Sequence, residues 1–161
     1  MTGRFLLALA MPSSIISRLM KYDELIQLYF ERSNALQAYW TLYVVIVGGM
    51  LAFSSMRKLP AAVTTLIVTL LFGLFAYENM DAIMTVTKQR HATLAAIRQS
   101  DPGSTVAETK LVRDLLEPTL TPAPESAVQR THLVSDVLTI LGLWAMELRR
   151  RQNAGAAAVT T

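Results

Sequence analysis

The chain reads as an all-α integral membrane protein, and three observations predict this. Two apolar runs, Ala35 to Ser55 and Leu59 to Tyr77, each reach the ~20 residues that a helix needs to cross a bilayer core, and neither contains an acidic or basic side chain. Only Met56, Arg57 and Lys58 separate them, so the two spans form a transmembrane helical hairpin of antiparallel neighbours. A third apolar segment, residues 132–150, ends in Trp144 and the run Arg149, Arg150, Arg151, as a membrane helix ends at lipid headgroups. It is expected to be a third transmembrane helix, and extramembrane amphipathic helices are expected around the three spans.

Composition agrees with that class. At 161 residues the chain has one domain's length, and 52% hydrophobic content with a mean hydropathy of +0.36 is high for a soluble domain of this size. The formal charge is +3 and the pI about 9.4, but apart from residues 149–151 the Lys and Arg are scattered. Such residues flanking apolar helices anchor them at headgroups, which is favoured over nucleic-acid binding. The absence of cysteine excludes disulfides, thiolate catalysis and cysteine-ligated zinc or iron–sulfur centres.

Residues 1–21 open with Arg4 before the short apolar run FLLALAM, which Pro12, Ser13 and Ser14 interrupt. A peripheral leader lying against the membrane is favoured over a cleaved signal. Residues 22–34 form an amphipathic helix, with Tyr22, Leu25, Ile26, Tyr29 and Phe30 recurring at three- and four-residue steps. This aromatic-rich stripe is assigned to partner contact. No Pro or Gly separates it from the first span (35–55), where Tyr39, Trp40 and Tyr43 sit at the level of an aromatic belt.

The second span (59–78) carries Ala61, Thr65, Thr69 and Gly73 at four-residue steps, a small-residue face suited to helix packing. Nothing breaks the helix after Tyr77, so it should continue outside the membrane to about residue 99. Thr105 and Glu108 fit a capping box that opens a short amphipathic helix over 104–117. Residues 118–131 read as a Pro-rich connector, and 151–161 as a disordered tail.

Three acidic residues are candidates for an ion or proton path. Glu78 and Asp81 lie one helical turn apart at the outer end of the second span, where a shared proton or cation is chemically reasonable. Asp136 lies about one turn inside the third apolar segment, where an unpartnered carboxylate is costly, so it should face other helices, water or a cation. By depth its candidate partners are Arg130, Gln37 and the Glu78–Asp81 end. His91 and His132 belong to no metal-ligand spacing, and no nucleophile elbow, zinc-protease or phosphate-loop motif occurs.

No catalytic residue, metal or cofactor is assigned. The expectation is a non-catalytic subunit, assembly factor or interaction partner of a membrane complex or homo-oligomer, whose partners are the bilayer and other membrane subunits or copies of itself. An oligomeric ion channel or proton-coupled carrier is the alternative, and a membrane-embedded enzyme comes third. The two compact basic clusters place the 56–58 loop and the carboxyl terminus on the cytoplasmic side of a cell or inner membrane.

Overall fold

The computed structural model describes residues 22–99 and 114–159. Three long helices dominate: α1 (Tyr22–Met56), α2 (Ala62–Gln99) and α3 (Glu125–Val159), with a single 3-10 turn at Glu117–Thr119 before α3. No strand occurs among the described residues. All three long helices are long and apolar enough to cross a membrane.

The expected amphipathic segment and the first long apolar run are one helix. No residue between Tyr22 and Met56 removes a backbone donor, and α1 runs through Gly48 and Gly49 without a break. A Cβ on either glycine would meet nothing within 4 Å, so the pair mediates no close approach inside the chain. The second apolar run likewise continues without a break to Gln99.

Two boundaries differ from expectation. The connector is shorter than 118–131, because α3 begins at Glu125, directly after Pro124. Pro124 lacks the N–H that a helix start leaves unsatisfied, Glu125 complements the positive end of the helix, and nothing in Ser126–Thr131 breaks it. Residues 151–159 are helical, not a disordered tail: four of them are alanine, the strongest helix former, and Gly155 costs only about 1 kcal/mol. Residues 1–21 and the capping box at Thr105 and Glu108 lie outside the described residues.

The chain divides into two compact units. Unit 1 comprises Met1–Gln37 and Met84–Glu125, and unit 2 comprises Ala38–Ile83 and Ser126–Thr161. Unit 1 has a conventional apolar core: Leu25 and Tyr29 of α1 pack with Leu94, Ala96 and Ile97 of α2 and with Leu120, while Tyr22, Ile26 and Leu116 close its edge. Arg90 lies over the Tyr29 ring at 5.1 Å and donates to its hydroxyl. His91 Nε2 donates to the Ala123 carbonyl at 3.0 Å, fastening the connector to α2.

This core corrects the assignment of the aromatic stripe to a partner. Tyr22, Leu25, Ile26 and Tyr29 are covered by the chain's own α2 and connector, because α2 continues past the second span and brings its own apolar face to them. Of the five, Phe30 alone is exposed, at 46%.

A large-to-small change in this core should be costly. Ile97→Ala is expected to destabilise unit 1 by about 2–4 kcal/mol, whereas Leu115→Ala, at an exposed position, should stay within about 0.5 kcal/mol. Native-state amide hydrogen exchange across residues 22–37 and 84–99 measures both.

Candidate functional site

Unit 2 inverts the usual distribution of polarity. On α3 the apolar residues Leu133, Val137, Leu141 and Leu148 face outward, while His132, Thr139 and Glu147 are buried. These four apolar residues therefore lie on its outer surface, while Ile140 packs inward against the Tyr43 core. The inward positions 132, 136, 139, 143 and 147 advance by three or four residues, so they share one face of an α-helix.

That face presents two polar clusters. In the first, His132 and Asp136 stand one turn apart on α3, and the His132 Nδ1 lies 2.8 Å from Asp136 Oδ2. A carboxylate only accepts, so Nδ1 is a ring donor, and in the neutral ring Nε2 is left as an acceptor. The Asn79 amide of α2 donates to that Nε2 at 3.2 Å. From α1, the Tyr43 hydroxyl donates to the other carboxylate oxygen, Oδ1, at 2.8 Å. Hydrogen bonds thus run Asn79, His132, Asp136, Tyr43 through all three helices. The imidazole is also packed against the rings of Tyr43 and Trp40, with centroids 4.5 and 5.7 Å away.

The second cluster is centred on Glu147, which is fully buried. Its Oε1 accepts the backbone N–H of Ala61 at 2.9 Å and Arg151 Nε at 3.4 Å. Its Oε2 accepts the Thr65 hydroxyl at 3.2 Å and both Nε and Nη2 of Arg150, at 3.3 and 3.0 Å. Arg57 completes the group: one nitrogen lies 3.9 Å from Oε2, and the guanidinium also donates to the Ala61 carbonyl and the Thr65 hydroxyl. Arg150 reaches α1 as well, donating to the Ser54 carbonyl at 2.7 Å.

Both arrangements follow from local rules. Glu147 supplies the acceptor that the first turn of α2 needs at its free N–H groups, and Arg150 the donor that the last turn of α1 needs at its free carbonyls. Arg150 and Arg151 lie three and four residues after Glu147, the helical spacing at which side chains meet.

Between the clusters the bundle is mainly apolar, with the Thr139 hydroxyl bonded to its own helix at the Ser135 carbonyl. Tyr43, Phe72 and Ala76 form its buried core, with Trp40, Met50, Phe75 and Ile140 packed around them, and Leu143 is buried on α3. Asp136 and Glu147 are separated by about 16 Å along α3 at 1.5 Å per residue.

The structure distributes the sequence candidates unevenly. Asp136 is drawn into a partly buried network, but its partners are Tyr43 and His132, whereas Arg130 and Gln37 are exposed. Glu78 and Asp81 are exposed too; the inward residue between them is Asn79. Of the small-residue face, Ala61 and Thr65 meet Glu147, and Thr69 donates to its own helix at the Thr65 carbonyl. Gly73 faces open space. Glu147, Ser54, Asn79 and the Tyr43 hydroxyl were not singled out from the sequence. The available signals were the i, i+4 pair His132–Asp136 inside an apolar segment and Glu147 heading an arginine run. No group of three or more His, Asp or Glu residues able to hold a metal occurs among the described residues.

Removing the central acceptor should be more damaging than removing any single donor. Glu147→Ala is expected to lower the thermal midpoint of unit 2 by on the order of 10 °C, because it leaves buried guanidiniums without their counter-charge. Tyr43→Phe removes one bond to a carboxylate and should cost about 1.5–3 kcal/mol. Trp40 and Trp144, on α1 and α3 of this unit, supply the fluorescence readout. No known protein family, curated protein or solved structure matches the chain.

Proposed function

We propose that the chain is a three-span integral membrane protein acting as a non-catalytic subunit or assembly factor of a membrane complex or homo-oligomer. The inverted polarity of unit 2 carries this reading. Val44, Val45, Val63, Leu70, Leu74 and Leu138 are each more than 60% exposed, whereas the ionisable side chains facing inward are paired. In water such a surface would associate; in lipid it is the surface a helix requires, and the paired polar groups avoid the cost of charge in hydrocarbon. The same apolar exterior offers contact area to other membrane subunits, where close packing replaces the hydrophobic drive.

The basic end, with Arg57 and Lys58 on one turn and Arg149, Arg150 and Arg151 on α3, supports a cytoplasmic location for the 56–58 loop and the end of α3. The absence of cysteine makes this directly measurable. In intact cells, Lys58→Cys and Asn153→Cys should resist a membrane-impermeant maleimide, and Asp81→Cys should react. The reverse pattern overturns the orientation, and equal labelling of all three overturns the membrane reading. Native mass measurement after gentle solubilisation should give an assembly heavier than the 17.8 kDa chain. A monomer would overturn the subunit reading.

One observation favours a second reading, a proton-coupled carrier or channel: a hydrogen-bonded chain of titratable groups, Tyr43, Asp136 and His132, inside a bundle with a lipid-compatible exterior. The apolar layer around Phe72 and Leu143 separates this chain from Glu147, which is why the first reading is preferred. Proton flux into liposomes that is lost in Asp136→Asn would establish the carrier; flux at the level of empty liposomes removes it.

A further inference from the structure

The arginine-rich end of unit 2 holds more positive charge than its own acid neutralises. Three guanidiniums, those of Arg57, Arg150 and Arg151, converge on the single carboxylate of Glu147, leaving a surplus of two. Lys58 and Arg149 beside them are exposed and raise the surplus to four. Glu147 has no capacity left, since both oxygens already accept two or more donors.

The guanidiniums are graded by depth. The side chains of Arg150 and Arg57 are only 10% and 16% exposed and are fixed by Ser54, Ala61 and Thr65, whereas that of Arg151 is 46% exposed. Arg151 binds Glu147 through Nε, which holds the planar head and leaves its two terminal nitrogens for another acceptor. A planar fork held in this way matches two oxygens of a phosphate, which a flexible lysine does not. The start of α2 adds the positive end of a 38-residue helix to the same place.

Directly beside this charge the surface is apolar. Met56, Leu59 and Val63 are 80%, 77% and 71% exposed, and Leu66 and Leu70 continue the strip along α2. A soluble phosphate compound has no use for such a strip, but an acyl chain does.

We propose that this end of unit 2 is a binding site for an anionic phospholipid. The phosphate is held by Arg151 against the arginines pinned by Glu147, Lys58 and Arg149 add their charge to the field around it, and the acyl chains lie along Leu59, Val63 and Leu66. The proposal rests on the membrane reading, since only a membrane-embedded chain meets such a lipid.

The test is native mass spectrometry of the full chain from nanodiscs of equal phosphatidylglycerol and phosphatidylcholine. The wild type should retain phosphatidylglycerol preferentially. Lys58→Gln with Arg149→Gln, which touches none of the Glu147 bonds, and Arg151→Gln should each weaken the preference, by about fivefold for every basic residue removed. Arg130→Gln, near the other end of α3, should not. Millimolar glycerol phosphate, the headgroup without chains, should leave the retained lipid in place. Equal retention of the two lipids, an unchanged preference in both basic-end variants whose melting matches wild type, or displacement by glycerol phosphate would each overturn the lipid site while leaving the membrane reading intact. Failure of the chain to enter nanodiscs of any composition overturns both.

Discussion

Everything in unit 2 depends on how a fully buried carboxylate is satisfied. Glu147 lies where the α1–α2 hairpin turns, and it answers two deficits at once. Its Oε1 takes the Ala61 N–H, which the first turn of α2 leaves without an intrahelical acceptor, and through Arg150 it places a donor on the Ser54 carbonyl in the last turn of α1. A hairpin made of two apolar helices has little of its own to fix where a third helix docks, because in an apolar medium one greasy face packs much like another. The Glu147 cluster supplies a position and a rotation that sliding or turning α3 by one residue would destroy.

The Asn79–His132–Asp136–Tyr43 chain performs the same task at the other end of the bundle. Two separated polar anchors about 16 Å apart determine both the register and the rotation of α3, where a single anchor would leave the helix free to pivot. Between them the packing is by Phe72, Ala76 and Leu143, side chains without polar atoms that tolerate small shifts. The division is physically sensible. Directional bonds at the ends specify the arrangement, and non-directional contact in the middle fills it.

Much of the architecture was legible because length and charge are read directly from a sequence. The hairpin, the continuation of α2 to Gln99 and the third long apolar helix all follow from runs that lack charges or breakers. Burial was far less legible. Of the stripe Leu133, Val137, Ile140, Leu141, Trp144 and Leu148, the residues Leu133, Val137, Leu141 and Leu148 are exposed, while Ile140 packs against the Tyr43 core. On the proposed membrane reading the rule that an apolar stripe marks a core face fails because the surroundings are as apolar as the core, and the polar side chains are the ones that need protein around them. The partner assignment of Tyr22, Leu25, Ile26 and Tyr29 failed for a different reason. Their periodicity was correctly amphipathic, but periodicity cannot say whether the covering surface belongs to another chain or, as with Leu94 and Ile97, to the same one. Glu147 was hidden by its neighbours, since a glutamate at the head of Arg149–Arg151 resembles an ordinary solvated helix end.

The contrast between the two units bears on function more than either unit alone. Unit 1 has an apolar core around Leu25, Tyr29 and Ile97, with Thr87 and Thr93 buried as well, and exposes Asp23, Glu24, Glu31 and Lys88 to its surroundings. Unit 2 buries His132, Thr139 and Glu147 and exposes valine and leucine, the pattern that hydrocarbon selects. Helices α1 and α2 each pass through both units without a break, so the change of pattern occurs within single helices, at Gln37–Ala38 and Ile83–Met84. The proposed membrane reading accounts for this as a change of solvent along each helix. The alternative, a wholly aqueous protein whose unit 2 is coated by other subunits, needs those subunits to cover three helices at once. A bilayer would do this with no specific contact, and on the proposed reading Gly73, Gly48 and Gly49, at which a Cβ would meet nothing within 4 Å inside the chain, are where a neighbouring helix could pack.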